Sequence, residues 1–461
     1  MKYQEFLQRK TLIDVPTGLN EFGKINKMLF PFQTAQTEWG LKRGRAVIAD
    51  DCGLGKTPMQ LETARLIHEA TGKPVLIVAP LAVAQQTIRE GKKFGVEITY
   101  ANRKENITTP ITITNYDMLH AFDASYFICV ILDEGSILKS YNGSTRNQIL
   151  EMFAATPYKF VYTATPAPND YMELGNYAEF LGVMSRTEML ATFFIHDGGD
   201  TAKWRLKGHA EDPFWRWLSS WMMVVRKPSD LGYSDEGFAL PPLNIEKHLL
   251  SSDATPGFLF PMPAETLNEQ RQVKRGSIEE RCDAALKMVR KLDGKPAVIW
   301  CELNDEGDYL EYKLGKKCVQ VSGKDDMYAK EEKLMAFTDQ EIPYIISKPS
   351  VAGFGLNWQF CPNMFFVNIS HSYEQFYQAV RRCWRFGQKK PVNVHVVMME
   401  AEIGIWENIQ RKQREADEMA ASMVEHMKDT MTANIRGVQR ERADYEPAAR
   451  MRMPNWIKET A

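Results

Sequence analysis

Short apolar runs separated by longer helical segments recur twice along this chain, and few folds accept that pattern. The first series is AVIA (46–49), VLIVAP (75–80), ITITN (111–115), FICVILD (127–133) and KFVYTAT (159–165). Each run is rich in β-branched or aromatic residues and is bounded by turn formers or a charge, as strands buried on both faces are. Between the first two runs, Leu61, Ala64, Leu66 and Ile67 recur near helical spacing. Strands that alternate with helices form a parallel sheet covered on both sides. A second series starts near Pro241, with AVIWC (297–301), CVQVS (318–322), YIIS (344–347), FFVNIS (365–370) and VNVHVV (392–397). The pattern predicts an α/β chain of two tandem lobes with parallel sheets, at 1–240 and 241–400.

Residues 166–240 break the first rhythm. They hold Trp204, Trp215, Trp217 and Trp221 without a strand period, and a helical insertion in the first lobe is expected there. In 401–461, Ile403, Trp406, Ile409, Met419, Met423, Met427 and Met431 recur at three- and four-residue steps. That spacing predicts a packed C-terminal helix, with a polar, flexible tail after Gly437.

Composition removes several function classes. A length of 461 residues, 44% apolar and 25% charged, allows two to four domains and excludes global disorder. No apolar run approaches the roughly 20 residues of a membrane span. The N-terminus shows neither the apolar core nor the cleavage site of a signal peptide, so a cytoplasmic protein is expected. A net charge of −2 excludes a globally basic nucleic-acid coat but not a local basic groove. The seven cysteines form no C-x-x-C pair and the eight histidines are scattered, His196 and His209 near Asp197 and Asp200 included. Neither a zinc module nor a disulfide framework is expected, and the cysteines read as reduced core residues.

Chemistry concentrates in three places. ADDCGLGKT (49–57) directly follows the AVIA run and precedes a helix, the strand–loop–helix setting of a phosphate loop. Gly53, Leu54 and Gly55 would turn backbone amides toward phosphate oxygens at a helix N-terminus. Lys56 would bridge the β- and γ-phosphates and Thr57 would hold Mg2+. Asp50 stands where the first glycine of the full pattern belongs. The FICVILD run ends in Asp133 and Glu134, suited to holding Mg2+ and to polarising an attacking water. In QAVRRCWRFGQ (378–388), Arg382 and Arg385 are three apart and share a helical face, able to grip a γ-phosphate.

Together these motifs resemble superfamily 2 helicases, within them the Swi/Snf-type DNA translocases, and especially the compact versions carried by bacteriophages and prophages. ADDCGLGKT is similar to the family's ADEMGLGKT, DEGSILKS (133–140) to DEAHRIKN, and TATP (163–166) to TGTP. LFPFQTAQTEWGL (29–41) resembles the glutamine motif, which implies that Gln33 reads the adenine edge. SVAGFGLNW (350–358) resembles SKAGGEGLNL, and the arginine segment resembles QAIGRAHRIGQ. The resemblance implies RecA-like lobes, ATP and Mg2+ as cofactors, a nucleotide contact at Gly355, and a catalytic set of Lys56, Asp133, Glu134, Gln378, Arg382 and Arg385. Phosphate tracking is implied near Pro80, Thr114, Asn115, Gly353 and Asn357, with Lys139 and Arg146 as added charges. The four tryptophans either pack the insertion or stack bases. The chain departs from the family at Ser136, Ile137, Ala164 and Arg381, which affects coupling more than hydrolysis.

The resemblance implies an ATP-dependent translocase on DNA, duplex favoured and single strands second, in the host cytoplasm if phage-encoded. A strand-separating DNA or RNA helicase is the runner-up. A nucleic-acid-binding scaffold with a vestigial ATPase is a third reading, opposed by the intact ATP-site side chains.

Overall fold

The computed structural model describes residues 15–139, 143–167, 170–197, 200–251, 266–352 and 357–436. The first series of runs becomes β1 (Arg45–Asp50), β2 (Val75–Ala79), β4 (Ile111–Asn115), β5 (Cys129–Asp133) and β6 (Tyr158–Thr163), with an extra short strand β3 (Ile98–Tyr100). The tryptophan-rich segment adds a hairpin of β7 (Phe194–Asp197) and β8 (Asp200–Leu206), and a strand β9 (Met222–Val225). The first sheet has seven strands in the order β3-β4-β2-β5-β6-β1-β9, and every neighbouring pair is parallel.

The second sheet holds β10 (Leu243–Leu250), β11 (Ala297–Trp300), β12 (Cys318–Val321), β13 (Tyr344–Ser347), β14 (Asn363–Phe366) and β15 (Val392–Met399). Its order is β10-β15-β14-β11-β13-β12, again with parallel neighbours throughout. Two RecA-like lobes of α/β type are therefore present. Strand β14 lies a few residues upstream of the expected 365–370: pairing with β11 starts at Asn363, and Val367 makes the last backbone bond, to the Trp300 carbonyl.

The insertion is not purely helical. Strand β9 lies beside β1, with Asp51 N–H donating to the Val225 carbonyl at 2.9 Å, so the segment completes the first sheet. Trp215, Trp217 and Trp221 are buried in the first-lobe core, which leaves them no face for a base. The packing reading holds for those three.

The C-terminal helix, Ile403–Arg436, spans both lobes. Ile405, Trp406 and Ile409 enter the second-lobe core, while Met423, Met427 and Met431 enter the first-lobe core. His426 stacks on Trp215 at 5.0 Å, and Asn434 donates to the Ser219 carbonyl at 3.2 Å. At about 1.5 Å per residue such a helix is long enough to strap one lobe to the other. The expected tail after Gly437 lies outside the described residues. Among those residues no helix is long and apolar enough to cross a membrane. All seven cysteines are free; six are buried and Cys52 is half-buried.

Candidate nucleotide site between the lobes

Strand β1 ends at Asp50 and the next helix runs Lys56–Thr71, so a short loop turns the chain at the sheet's C-terminal edge. Gly53 (φ 93°) and Gly55 (φ 82°) adopt left-handed backbone, which a side chain disfavours. A Cβ at Gly55 would strike the Gln33 amide, and one at Gly53 would lie 2.8 Å from the Phe386 backbone nitrogen. Lys56 Nζ donates to the carbonyls of Asp50 (2.7 Å) and Asp51 (3.2 Å). Gln33 donates to the Leu54 carbonyl at 2.7 Å and accepts from Phe30 N–H at 2.9 Å. Its amide thus braces the loop from the cavity wall, where an adenine edge would be read.

Asp50 is fully buried, and burial pushes its carboxyl from 3.8 up to about 7, despite Lys56 and a 3.1 Å bond from Gln36 Nε2. The native chain therefore keeps a proton that the unfolded chain releases, so stability falls as pH rises from about 4 to about 7. Each pH unit crossed costs up to about 1.4 kcal/mol. Asp50→Asn removes this titration while keeping an acceptor for Gln36. Its unfolding temperature should exceed that of the wild type at pH 8, with the gap shrinking as pH approaches 4. A gap independent of pH would mean Asp50 is ionised throughout.

The acidic pair closes strand β5. Asp133 Oδ1 accepts from Gln60 Nε2 at 2.6 Å; burial, then the charge of Glu134, pushes its carboxyl up to about 6. Glu134 has φ 53° and ψ 56°, a left-handed conformation that costs a non-glycine residue about 1 kcal/mol or more. Its carboxylate meets Gln378 Nε2, from the second lobe, at 3.5 Å.

The second lobe supplies the opposite wall. Gln378 lies on the helix Tyr373–Val380, and the chain then turns through Arg382 and Arg385. Arg382 Nε donates to the Gln378 carbonyl at 3.0 Å. Burial, followed by the like charge of Arg382, brings the Arg385 guanidinium down to about 10. A cavity of about 400 Å³ is lined by Lys56, Thr57, Asp133, Glu134, Arg382 and Arg385. Gln33, Gly53 and Gly55 share its wall, whereas Leu54 is buried behind it. Phe30, Phe238 and Phe386 form an aromatic rim, the last two stacked at 4.7 Å. Two glycines where side chains cannot fit, cations on facing walls and an acidic pair fit a nucleoside triphosphate with Mg2+.

A clasp that the motifs did not reveal joins the lobes beside this cavity. Arg381 pairs with Asp51 at 2.9 Å and donates to the Cys52 carbonyl at 2.6 Å, and Tyr377 donates to Asp51. Lys139 forms a second inter-lobe ion pair, with Glu374. The only sequence signal was Arg381 standing where the family motif has glycine.

The expected nucleic-acid residues scatter. Pro80 and Asn357 border a second inter-lobe cavity of about 490 Å³. Thr114 has a buried hydroxyl, and Asn115 is occupied in capping the next turn through Asp117 and Met118 N–H and in donating to Tyr100. Lys139 is engaged by Glu374, and Arg146 is buried against Glu179, so these cations are committed within the protein. Gly353 and Gly355 lie outside the described residues.

Residues 6–168 match the family model described as Type III restriction enzyme, res subunit, and residues 280–387 match the helicase conserved C-terminal domain. Relatives include the SWI/SNF-related matrix-associated actin-dependent regulator of chromatin subfamily A-like protein 1 of Xenopus tropicalis, 26% identical over 33% of this chain and 17% of that protein. The DNA annealing helicase and endonuclease ZRANB3 of Mus musculus is 29% identical over 31% of this chain and 15% of its own length. The probable ATP-dependent DNA helicase CHR12 of Arabidopsis thaliana is 23% identical over 76% of this chain and 38% of its own. The chain thus spans less than half the length of each. Among solved structures, the Sulfolobus solfataricus SWI2/SNF2 ATPase core in complex with dsDNA is similar, with a TM-score of 0.42 and 18% identity over 90% of this chain and 98% of that one. The chain carries the two domains of a superfamily 2 helicase, one in each lobe, and has relatives of the SWI/SNF type.

Proposed function

We propose that this chain is a DNA-dependent ATPase that moves along duplex DNA, of the compact kind carried by bacteriophages and prophages and acting in the host cytoplasm. The lobes are assigned to 1–240 and 241–400, with 401–461 as the C-terminal segment. One observation carries the reading: a phosphate loop and an acidic pair from one lobe share a cavity with two arginines from the other. ATP with Mg2+ supplies the scissile phosphoanhydride and the charge that builds on it. The amides of Gly53, Leu54 and Gly55 hold the phosphates, Lys56 pairs with the β- and γ-oxygens, and Thr57 and Asp133 hold the metal. Glu134 polarises the attacking water beside Gln378. Arg382 and Arg385 stabilise the transition state from the second lobe, so the lobes must be closed for turnover. Phe30, Phe238 and Phe386 offer a stacking surface to the base.

DNA runs across both lobes near Pro80 and Asn357, and the relatives named as DNA helicases support that choice of polymer. ATPase rates with duplex DNA, single-stranded DNA and RNA, measured side by side, test it. Duplex DNA should stimulate most, and stimulation should fall steeply with salt while varying little with sequence. Stimulation by single strands or RNA alone would favour the strand-separating helicase. Absence of turnover with every polymer would leave the scaffold.

A further inference from the structure

Far from the nucleotide cavity, at the outer edge of the second sheet, two histidines and a carboxylate converge. Strand β10 is the edge strand and pairs in parallel with β15, which places Glu246 opposite His395. His248, two residues on, shares the face of Glu246 because side chains alternate along a strand. His248 Nε2 and His395 Nδ1 lie 3.0 Å apart. Glu246 Oε2 lies 3.4 Å from that nitrogen of His395 and 3.9 Å from that of His248. The ring of Phe365 stacks on His395 at 5.0 Å and 19°, which fixes the imidazole plane.

These separations match what a metal ion imposes. Ligands about 2.0 Å from a tetrahedral zinc stand about 3.3 Å from one another. The three measured distances bracket that edge. Two imidazoles and one carboxylate suit zinc-class divalent transition metals rather than Mg2+ or Ca2+, which take oxygen ligands. Access is open, since Glu246 is 63% exposed and His248 31%. Among the described residues this is the one group of three or more His, Cys, Asp or Glu side chains whose ligand atoms converge in this way. Sequence spacing could not reveal it, because His248 and His395 are 147 residues apart and meet only through strand pairing.

We infer that Glu246, His248 and His395 bind one zinc-class divalent metal ion, with a fourth position open to solvent. The ion joins β10, the first strand after the connection between the lobes, to β15, and so fixes the edge of the second lobe. This site is independent of the nucleotide reading.

The test uses tag-free, chelator-stripped full chain titrated with Zn2+ by calorimetry and with Co2+ by absorption spectroscopy. One equivalent should bind, and Co2+ should show tetrahedral visible bands without a thiolate charge-transfer band, which separates this site from the half-buried Cys52. His248→Ala should abolish the event, and Glu246→Gln should weaken it about tenfold or more. Zn2+ should raise the thermal midpoint of the wild type but not of His248→Ala, while the two unfold alike in chelator. A stoichiometric event that survives His248→Ala, a thiolate band, or no binding at all would overturn the assignment and leave a hydrogen-bonded histidine pair.

Discussion

Arg385→Ala should lose about 10³-fold or more of DNA-stimulated ATP turnover while retaining nucleotide affinity within about tenfold. The size of the effect follows from where the side chain sits. Arg385 lines the same cavity as Lys56 and Thr57 but comes from the other lobe. It is half-buried beside Arg382, and burial, followed by the like charge of Arg382, brings its guanidinium down to about 10. Both arginines line the cavity in which polyphosphate charge would lie, so their stabilisation is greatest where charge on the transferring phosphoryl is greatest. Arg385→Ala keeps the Cβ and truncates only a half-buried side chain that lines the cavity, so the fold should not suffer. The clasp of Arg381 on Asp51 and Cys52 is left intact, and the lobes stay docked. Ground-state binding rests mainly on the phosphate loop, which the substitution leaves unchanged. ATPase rate against DNA concentration, with nucleotide affinity from equilibrium titration, separates the two quantities. Turnover at the stimulated wild-type rate would remove both the arginine role and the need for closure.

How much of this could be read from sequence depended on whether the determinant was local. Buried parallel strands are continuous apolar runs, so β1, β2, β5 and β13 were legible as such. Strand β10 was not, because it is an edge strand whose sequence LNIEKHLL alternates charge with apolar residues and shows one face to water. Strand β9 was hidden among tryptophans that signalled helix packing, although MMVV fills the sheet edge beside β1. The phosphate loop, acidic pair and arginine pair were legible because each needs particular residues within a few positions, although Arg382 and Arg385 lie past the end of the helix Tyr373–Val380 and not on the expected helical face. Pairings across the lobes were not. Asp51 and Arg381, or Lys139 and Glu374, become partners only through docking, and nothing at either position names the other. Lys139 and Arg146, read from sequence as added charges for phosphate, have carboxylate partners in Glu374 and Glu179 that the sequence did not show. Helical periodicity did foresee the methionine stripe, yet not that one helix would insert into two cores.

Glu134→Gln gives the sharpest separation of chemistry from binding. Glu134 is buried at the end of β5 in left-handed backbone, and glutamine has the same shape, so the local geometry should persist. Gln378 can still donate to the remaining side-chain oxygen. What disappears is the negative charge that polarises water, a contribution typically worth about 10²- to 10⁴-fold in rate. Metal binding responds in the other direction. Glu134 is one of the causes holding the Asp133 carboxyl up near 6, second to burial, so neutralising it favours the ionised form of Asp133. Mg2+ and nucleotide should therefore bind as tightly as in the wild type or more tightly. Turnover should fall by at least about a hundredfold, and DNA affinity should be unchanged. Equilibrium titration with a nucleotide, run with and without Mg2+, beside single-turnover hydrolysis, distinguishes the cases. If metal-dependent nucleotide binding disappears together with turnover, Glu134 is itself a metal ligand or holds the strand end in place, and the attacking water must be activated by another group.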